Sequence, residues 1–303
     1  MKIGQGEPRS TGSLCLLLGY SRQALYQHIR REQKQALQDD LLLQQVIAYR
    51  RKMPRCGGRK LFELLSPFMQ HHDMSIGRDG LFTLLRQHGL LVRSRKRRYP
   101  ITTFSHHWLR KYPNLILEFI PVAANQVWVS DITYIEVARR FAYLSLITDK
   151  YSRKIVGYFL SEDLRAEGCI AALQMALKNL PVDHKIIHHS DRGVQYCSEK
   201  YVSLLMENSI AISMTQSGNP QENAVAERAN GILKDEFLTD QHFSNIEQAR
   251  KGIDIAVSTY NYLRPHLSIN MLTPEQAHRQ SGDIKKLWKN YYQNRKGVAH
   301  ELA

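Results

Sequence analysis

Apolar residues follow two rhythms along this chain. Between residues 126 and 161 they come in short β-branched and aromatic blocks, as in QVWVSDITYI and YLSLITDKYSRKIVGYFLS, which predicts strands over 126–136, 141–148 and 154–161. The connections between them are short, so antiparallel hairpins are expected. The rhythm then shifts. A helix over 166–179 closed by Pro181, a strand over 185–189, a helix over 199–207, a strand over 211–214, a helix from near Pro220 and another over 246–263 complete the pattern.

Upstream, the periodicity is helical throughout. SLCLLLGYSRQALYQHIRRE, residues 13–32, reads as two helices joined at Gly19 and Tyr20, with Ser21 as a cap. The first would bury Leu14, Leu17 and Leu18, and the second would present Arg22, Gln23 and Gln27, residue types that read base edges or touch phosphates. A separate helix is expected over 34–51, using Leu37, Leu41, Val46 and Tyr49, with Cys56-Gly57-Gly58 as the break after it. Helices over 59–70 and 75–88 follow, the former ended or kinked by Pro67 and the latter stopped by Gly89. The run Arg93-Ser94-Arg95-Lys96-Arg97-Arg98 reads as a basic linker that neutralises phosphates, and Pro100 and Pro113 oppose regular structure after it. The division expected is a helix-turn-helix segment at 1–33, a second helical domain at 34–92, the linker at 93–117, a core at 118–278 and a basic aromatic tail at 279–303. Lys285, Lys286, Trp288, Lys289, Tyr291, Tyr292 and Arg295 make that tail suited to single-stranded nucleic acid or to docking a second subunit.

Composition narrows the function. A net charge of +14 over 303 residues points to a polyanion, nucleic acid being the usual one. There is no apolar run of about 18 residues, and MKIGQGEPRSTG lacks the apolar core of a secretion signal, so a cytoplasmic, nucleoid-associated protein is expected and no membrane partner. Cys15, Cys56, Cys169 and Cys197 are scattered without a C-x-x-C pair, which argues against a structural zinc or a disulfide framework. His71 and His72 read as surface histidines.

Three acids carry the candidate chemistry. Asp131 lies within the first strand. Asp191 lies where the fourth strand ends, in HKIIHHSDRGVQYCS. Glu227 lies on the helix after Pro220, where Asn219 can cap, Pro220 fits the first position and Glu222 falls three past the cap. Asn223, Glu227, Asn230 and Lys234 share one polar stripe of that helix, and Val225, Ala229, Ile232 and Leu233 cover the opposite side. Acids at strand ends and on a following helix suggest divalent cation binding. Asp149 reads as part of a structural turn. His188 and His189, adjacent on a strand, point to opposite faces and are poor co-ligands.

WVSDITYI, HHSDRGVQYCS, SMTQSGNPQENAVAERANGILKDE and YNYLRPHLSINMLTPEQA, in this order, resemble the second-frame product of bacterial insertion-sequence transposases of the IS-three family, whose core is similar to retroviral integrase. The resemblance covers about residues 120–278. It implies an α/β ribonuclease-H-like fold, a mixed five-stranded sheet with flanking helices, preceded by small all-α helix-turn-helix domains. The first and fourth strands then lie adjacent, so their acids can meet.

The resemblance further implies a DNA transposase. It would bind element ends, cleave one strand by metal-dependent hydrolysis, and use the freed 3′ hydroxyl for strand transfer and integration. The implied cofactor is a pair of Mg2+ ions, for which Mn2+ can substitute, held by Asp131, Asp191 and Glu227 with Asp131 bridging. Lys234 matches a lysine that grips terminal DNA, and Asn223 would help position the phosphate. Implied partners are double-stranded DNA (terminal repeats and target), a second copy or more of the chain, and the upstream-frame product as a fusion or an associate. Arg264 and His266 either touch DNA or support the core. A DNA-binding repressor without catalysis is the competing function. A ribonuclease H acting on RNA–DNA hybrids fits the helix-turn-helix head less well.

Overall fold

The computed structural model describes residues 10–92, 107–178, 180, 184–216 and 220–287. The basic run with Arg95, Lys96, Arg97 and Arg98, the cap Asn219, and Trp288 onward lie outside the described residues.

The first described unit is helical: α1 (Thr11–Leu17), α2 (Arg22–Lys52), α3 (Gly58–His71) and α4 (Arg78–Gln87). Ser10 caps α1 and Ser21 caps α2, its hydroxyl accepting from Ala24 N at 3.0 Å. Three expectations are corrected here. The separate helices over 21–32 and 34–51 are one, since α2 runs unbroken for 31 residues and the expected boundary at 33/34 falls inside it. Nothing in Glu32-Gln33-Lys34-Gln35-Ala36 breaks a helix. Leu14, Leu17 and Leu18 are exposed rather than buried, because α1 is short and sinks only Cys15. Pro67 does not end α3, which continues to His71 with Leu61, Leu65 and Met69 on its buried face.

The second unit is built on β1 (Val127–Val137), β2 (Arg140–Asp149), β3 (Ile155–Ser161), β4 (Ile187–Ser190) and β5 (Ala211–Met214). These form one five-stranded sheet in the order β3-β2-β1-β4-β5. β1, β2 and β3 pair antiparallel, while β4 runs parallel to both β1 and β5. This is the expected ribonuclease-H-like arrangement, with the first and fourth strands side by side. One face carries α5 (Ala166–Leu177), α6 (Val194–Cys197) and α7 (Glu199–Glu207), packed with Trp128, Ile147 and Ile212. A Cβ on Gly157 of β3 would lie 2.2 Å from Ala172 O, so the close seating of α5 requires glycine there. On the other face lie α8 (Ala224–Ile232), a wider π turn over Leu233–Leu238, α9 (Ile246–Tyr262) and the capped α10 (Pro274–His278).

The helical unit and the sheet share a core. Leu42, Val46, Leu61, Leu65 and Leu85 belong to the same buried cluster as Ile135, Leu144, Leu160, Phe237, Ile253 and Tyr260. An ion triad crosses the joint. Glu236, in the π turn, takes Arg264 Nη2 at 2.7 Å and Nε at 2.8 Å, and Lys60 Nζ of α3 at 2.7 Å. Arg55 N donates to Glu236 O at 3.2 Å. Arg264 is 2 % exposed, which settles its role as support for the core rather than a DNA contact. Residues 107–117, expected to continue a loose linker, also pack: Ile116 is buried, Leu115 N donates to Ser213 Oγ at 2.9 Å and Met214 N to Pro113 O at 3.2 Å.

Burial would raise the Glu236 pKa, but the bonds and charge of Arg264, with those of Lys60, hold it at about 2. The folded value lies below the ordinary 4.5, so the triad's contribution is complete above 4.5 and is lost as pH falls towards about 2. Glu236→Ala leaves Arg264 buried without its carboxylate and is expected to cost about 3–5 kcal/mol in urea unfolding. Glu236→Gln should flatten the loss of stability across that acid window.

Candidate functional site

Parallel pairing sets the first two acids side by side. Val129 is in register with His189, and two residues further along the two chains stand Asp131 and Asp191. The strand period of two puts Asp131 on the face of Val127 and Val129, the face on which Ala226 of α8 packs. Glu227 follows Ala226, exposed on the first turn of α8. The sequence-predicted acids therefore come from one strand, one strand end and one helix to a common region.

Their electrostatics report the proximity. Asp131 is pushed up to about 7, first by burial, then by the charge of Asp191, with a smaller push from Glu227; Asn230 and Ile132 pull against this. Glu227, though exposed overall, is raised by the partial desolvation of its carboxylate and then by the charge of Asp191. Each acid thus feels at least one of the others. Asp131 Oδ1 accepts from Ile132 N at 2.9 Å and Oδ2 from Asn230 Nδ2 at 2.8 Å. Asp191 Oδ1 accepts from Gly193 N at 3.0 Å, which shapes the turn into α6.

Two asparagines of the polar stripe turn inward. Asn223 and Asn230 are 6 % and 4 % exposed. Asn223 Nδ2 donates to Ser130 O at 2.9 Å, so the residue expected to position a phosphate instead ties α8 to β1. Asn230, to which the sequence assigned no role beyond sharing the stripe, orients Asp131. The stripe's helical spacing was the available signal. Glu222 does not face a solvent cap alone: it receives Gln216 N and, at 3.4 Å, Asn114 Nδ2.

Lys234 sits in the π turn with Nζ 3.6 Å from the centroid of the Tyr134 ring, its pKa lowered by burial against the opposing charge of Asp235. It lines a cleft of about 400 Å3 with Phe141, Arg139 and His242. A second cleft of about 230 Å3 holds Asp131 and Asp191, and Tyr134 borders both. Arg22, Gln23 and Gln27 are exposed on the opening turns of α2.

The other candidates are accounted for by structure. Asp149 accepts from Ser152 N and Oγ, each at 2.7 Å, and from Asn125 N at 2.8 Å. His188 Nε2 lies 2.7 Å from Ser130 Oγ and 2.9 Å from Tyr201 OH, and burial takes its pKa down to about 3. His189 Nδ1 lies 2.9 Å from Ser213 Oγ. His266 is buried against Tyr260, ring centroids 4.8 Å apart.

Among the described residues, no three His, Cys, Asp or Glu side chains are drawn tightly enough together to form a metal cluster as they stand. The donor set nevertheless suits a hard divalent cation. It is all oxygen, its charges oppose one another in the absence of a cation, and Asn230 Oδ1, buried beside Asp131 without a hydrogen-bond partner, adds another hard oxygen.

Two models of the integrase core domain match residues 121–220 and 208–274. The "Insertion element IS600 uncharacterized 31 kDa protein" of Shigella sonnei is 34% identical over 268 residues, 86% of this chain and 96% of that protein. "Transposase InsF for insertion sequence IS3A" of Escherichia coli K12 is 32% identical over 194 residues, 63% of this chain and 67% of that one. Among solved structures, the HTLV-2 integrase catalytic core domain in complex with magnesium is 21% identical, with a TM-score of 0.43 over 53% of this chain and all of that one.

Asn223→Ala removes the donor to Ser130 O within a buried contact. It is expected to cost about 1–3 kcal/mol of stability in thermal or urea melts.

Proposed function

We propose, for a chain that belongs to the IS3 family of insertion-sequence transposases and carries their integrase core, that it cuts one DNA strand at an element end and joins the freed 3′ hydroxyl to a second phosphodiester. That the chain acts in DNA transposition follows from its family. The observation that supports the finer reading is geometric: Asp131 and Asp191 stand two residues past a parallel register pair and share one cleft, and Asn230, three residues after Glu227 on α8, donates to Asp131.

Asp131, Asp191 and Glu227 would hold divalent cations, magnesium or manganese. When bound, such ions supply an activated oxygen nucleophile and relieve charge on the leaving oxygen. The chain's own residues do the rest. Asn230 holds one Asp131 oxygen and the Ile132 amide the other, which fixes the carboxylate against α8. Asn223 locks the start of α8 to the backbone of β1, which sets where Glu227 stands. The Gly193 amide holds Asp191 in its turn.

Substrate binding draws on charge. Lys234, in the first cleft and packed on Tyr134, which borders both clefts, would take a phosphate, and Arg22, Gln23 and Gln27 would meet duplex DNA at the head. Arg95, Lys96, Arg97 and Arg98 would add phosphate contacts between them, so binding should weaken steeply with salt.

Purified chain with labelled element ends and magnesium should nick and join. Asp131→Asn should abolish both steps and leave DNA binding intact, and a chelator should do the same to the wild-type chain. Retained binding with no nicking by the wild-type chain would support the competing function, a DNA-binding protein without catalysis. Unchanged joining by Asp131→Asn would remove Asp131 from the chemistry.

A further inference from the structure

The chain approaches β1 along residues 107–117, and the first six of these, His107-Trp108-Leu109-Arg110-Lys111-Tyr112, form a strap with two sides. His107, Leu109 and Tyr112 are turned in, while Trp108, Arg110 and Lys111 are turned out. Leu109 and Tyr112 pack on the cluster around α5, α6 and α7. His107 Nε2–H donates to Arg192 O at 2.7 Å; a carbonyl only accepts, so that nitrogen carries the proton. Arg192 directly follows Asp191. The strap is therefore pinned to the loop that carries one of the three carboxylates.

Trp108 is 92 % exposed on this pinned backbone. The outward residues that follow it in the strap, Arg110 and Lys111, are basic. The Arg110 guanidinium stands 5.1 Å from the Tyr112 ring centroid, and the charges of Lys111 and Arg192 both reach Cys197 at the end of α6. None of residues 107–112 is acidic. An indole with its face open to water, flanked by cations and fixed beside a phosphodiester-processing site, matches what unpaired nucleotides require: a flat stacking surface and positive charge alongside. An apolar protein partner would be met by a cluster of apolar residues, whereas the outward residues next to Trp108 are Arg110 and Lys111.

We infer that residues 107–112 are a stacking platform for an unpaired DNA base on the Asp191 side of the site, with Trp108 under the base and Arg110, Lys111 and Arg192 along the phosphates. No residue of the strap is placed in the chemistry. The inference rests on the transposase reading and specifies which form of DNA that site takes.

The test compares a DNA duplex ending in a few unpaired nucleotides with the same duplex made blunt, both bound by the full-length chain. Trp108→Ala should weaken binding of the forked DNA roughly tenfold, since stacking of one base is worth about 1–3 kcal/mol. Blunt-duplex affinity should change by less than about twofold, because it is dominated by phosphate contacts. Trp108→Phe should restore most of the loss. In a Trp288→Phe background, forked DNA should shield the indole of Trp108 from acrylamide, Trp128 being buried. Forked-DNA affinity within about twofold of the parent in Trp108→Ala, or an equal loss for both DNAs, would overturn the platform and leave the transposase reading standing. Failure of the parent to bind either DNA would overturn both.

Discussion

The site depends on how α8 is held against β1. Three carboxylates repel one another, and burial adds to the cost of charging them, so nothing in their own electrostatics draws them together. The pairing of β1 with β4 sets Asp191 beside Asp131, and two buried asparagine amides hold the helix of Glu227 against β1. Asn223 reaches the backbone of β1 one residue before Asp131, and Asn230 reaches Asp131 itself. Glu227 lies between them on the helix, four residues after one and three before the other. An amide is the suitable anchor here, because it donates to a carboxylate without cancelling the negative charge that a cation would need. Ala226 and Ala229 allow the helix to come close enough for those short side chains to reach.

Much of this was legible in the sequence because strand and helix periods are local. The β-branched and aromatic run VWVSDITYI put Asp131 on a strand, the polar turn after the histidines put Asp191 at a strand end, and the spacing after Pro220 put Glu227 on a helix. Periodicity also identified which residues share a helical stripe, but not what that stripe faces. Asn223 and Asn230 look like a solvent front until β1, more than 90 residues earlier in the chain, is laid against them. The same limit applies to Arg264 and Lys60. Each is a surface-type residue by composition, yet Arg264 is buried and Lys60 half-buried on a single carboxylate that only the folded chain brings to both.

The errors at the N-terminal end have a related cause. Leu14, Leu17 and Leu18 have the right spacing for a buried face, yet a helix as short as α1 offers too little surface to cover them. The buried residues between Leu42 and Leu85 have the period of any small bundle, and period does not say whether the covering surface is local or belongs to the sheet. Pro113 rightly opposed regular structure, but irregular backbone is not loose backbone. The segment around it contributes Ile116 to the interior and lends its carbonyl to the edge of β5.

The unbroken course of α2 fixes a length. Leu42 and Val46 are rooted in the shared interior, whereas Arg22 opens the helix twenty residues before Leu42. At 1.5 Å of rise per residue that separation is about 30 Å, close to the roughly 34 Å of one turn of duplex. A stiff rod of this span would act as a ruler. A double helix meeting both the tip and the body in which the helix is rooted would have to offer contacts about one turn apart, on the same side of the duplex, whatever bases lie between them.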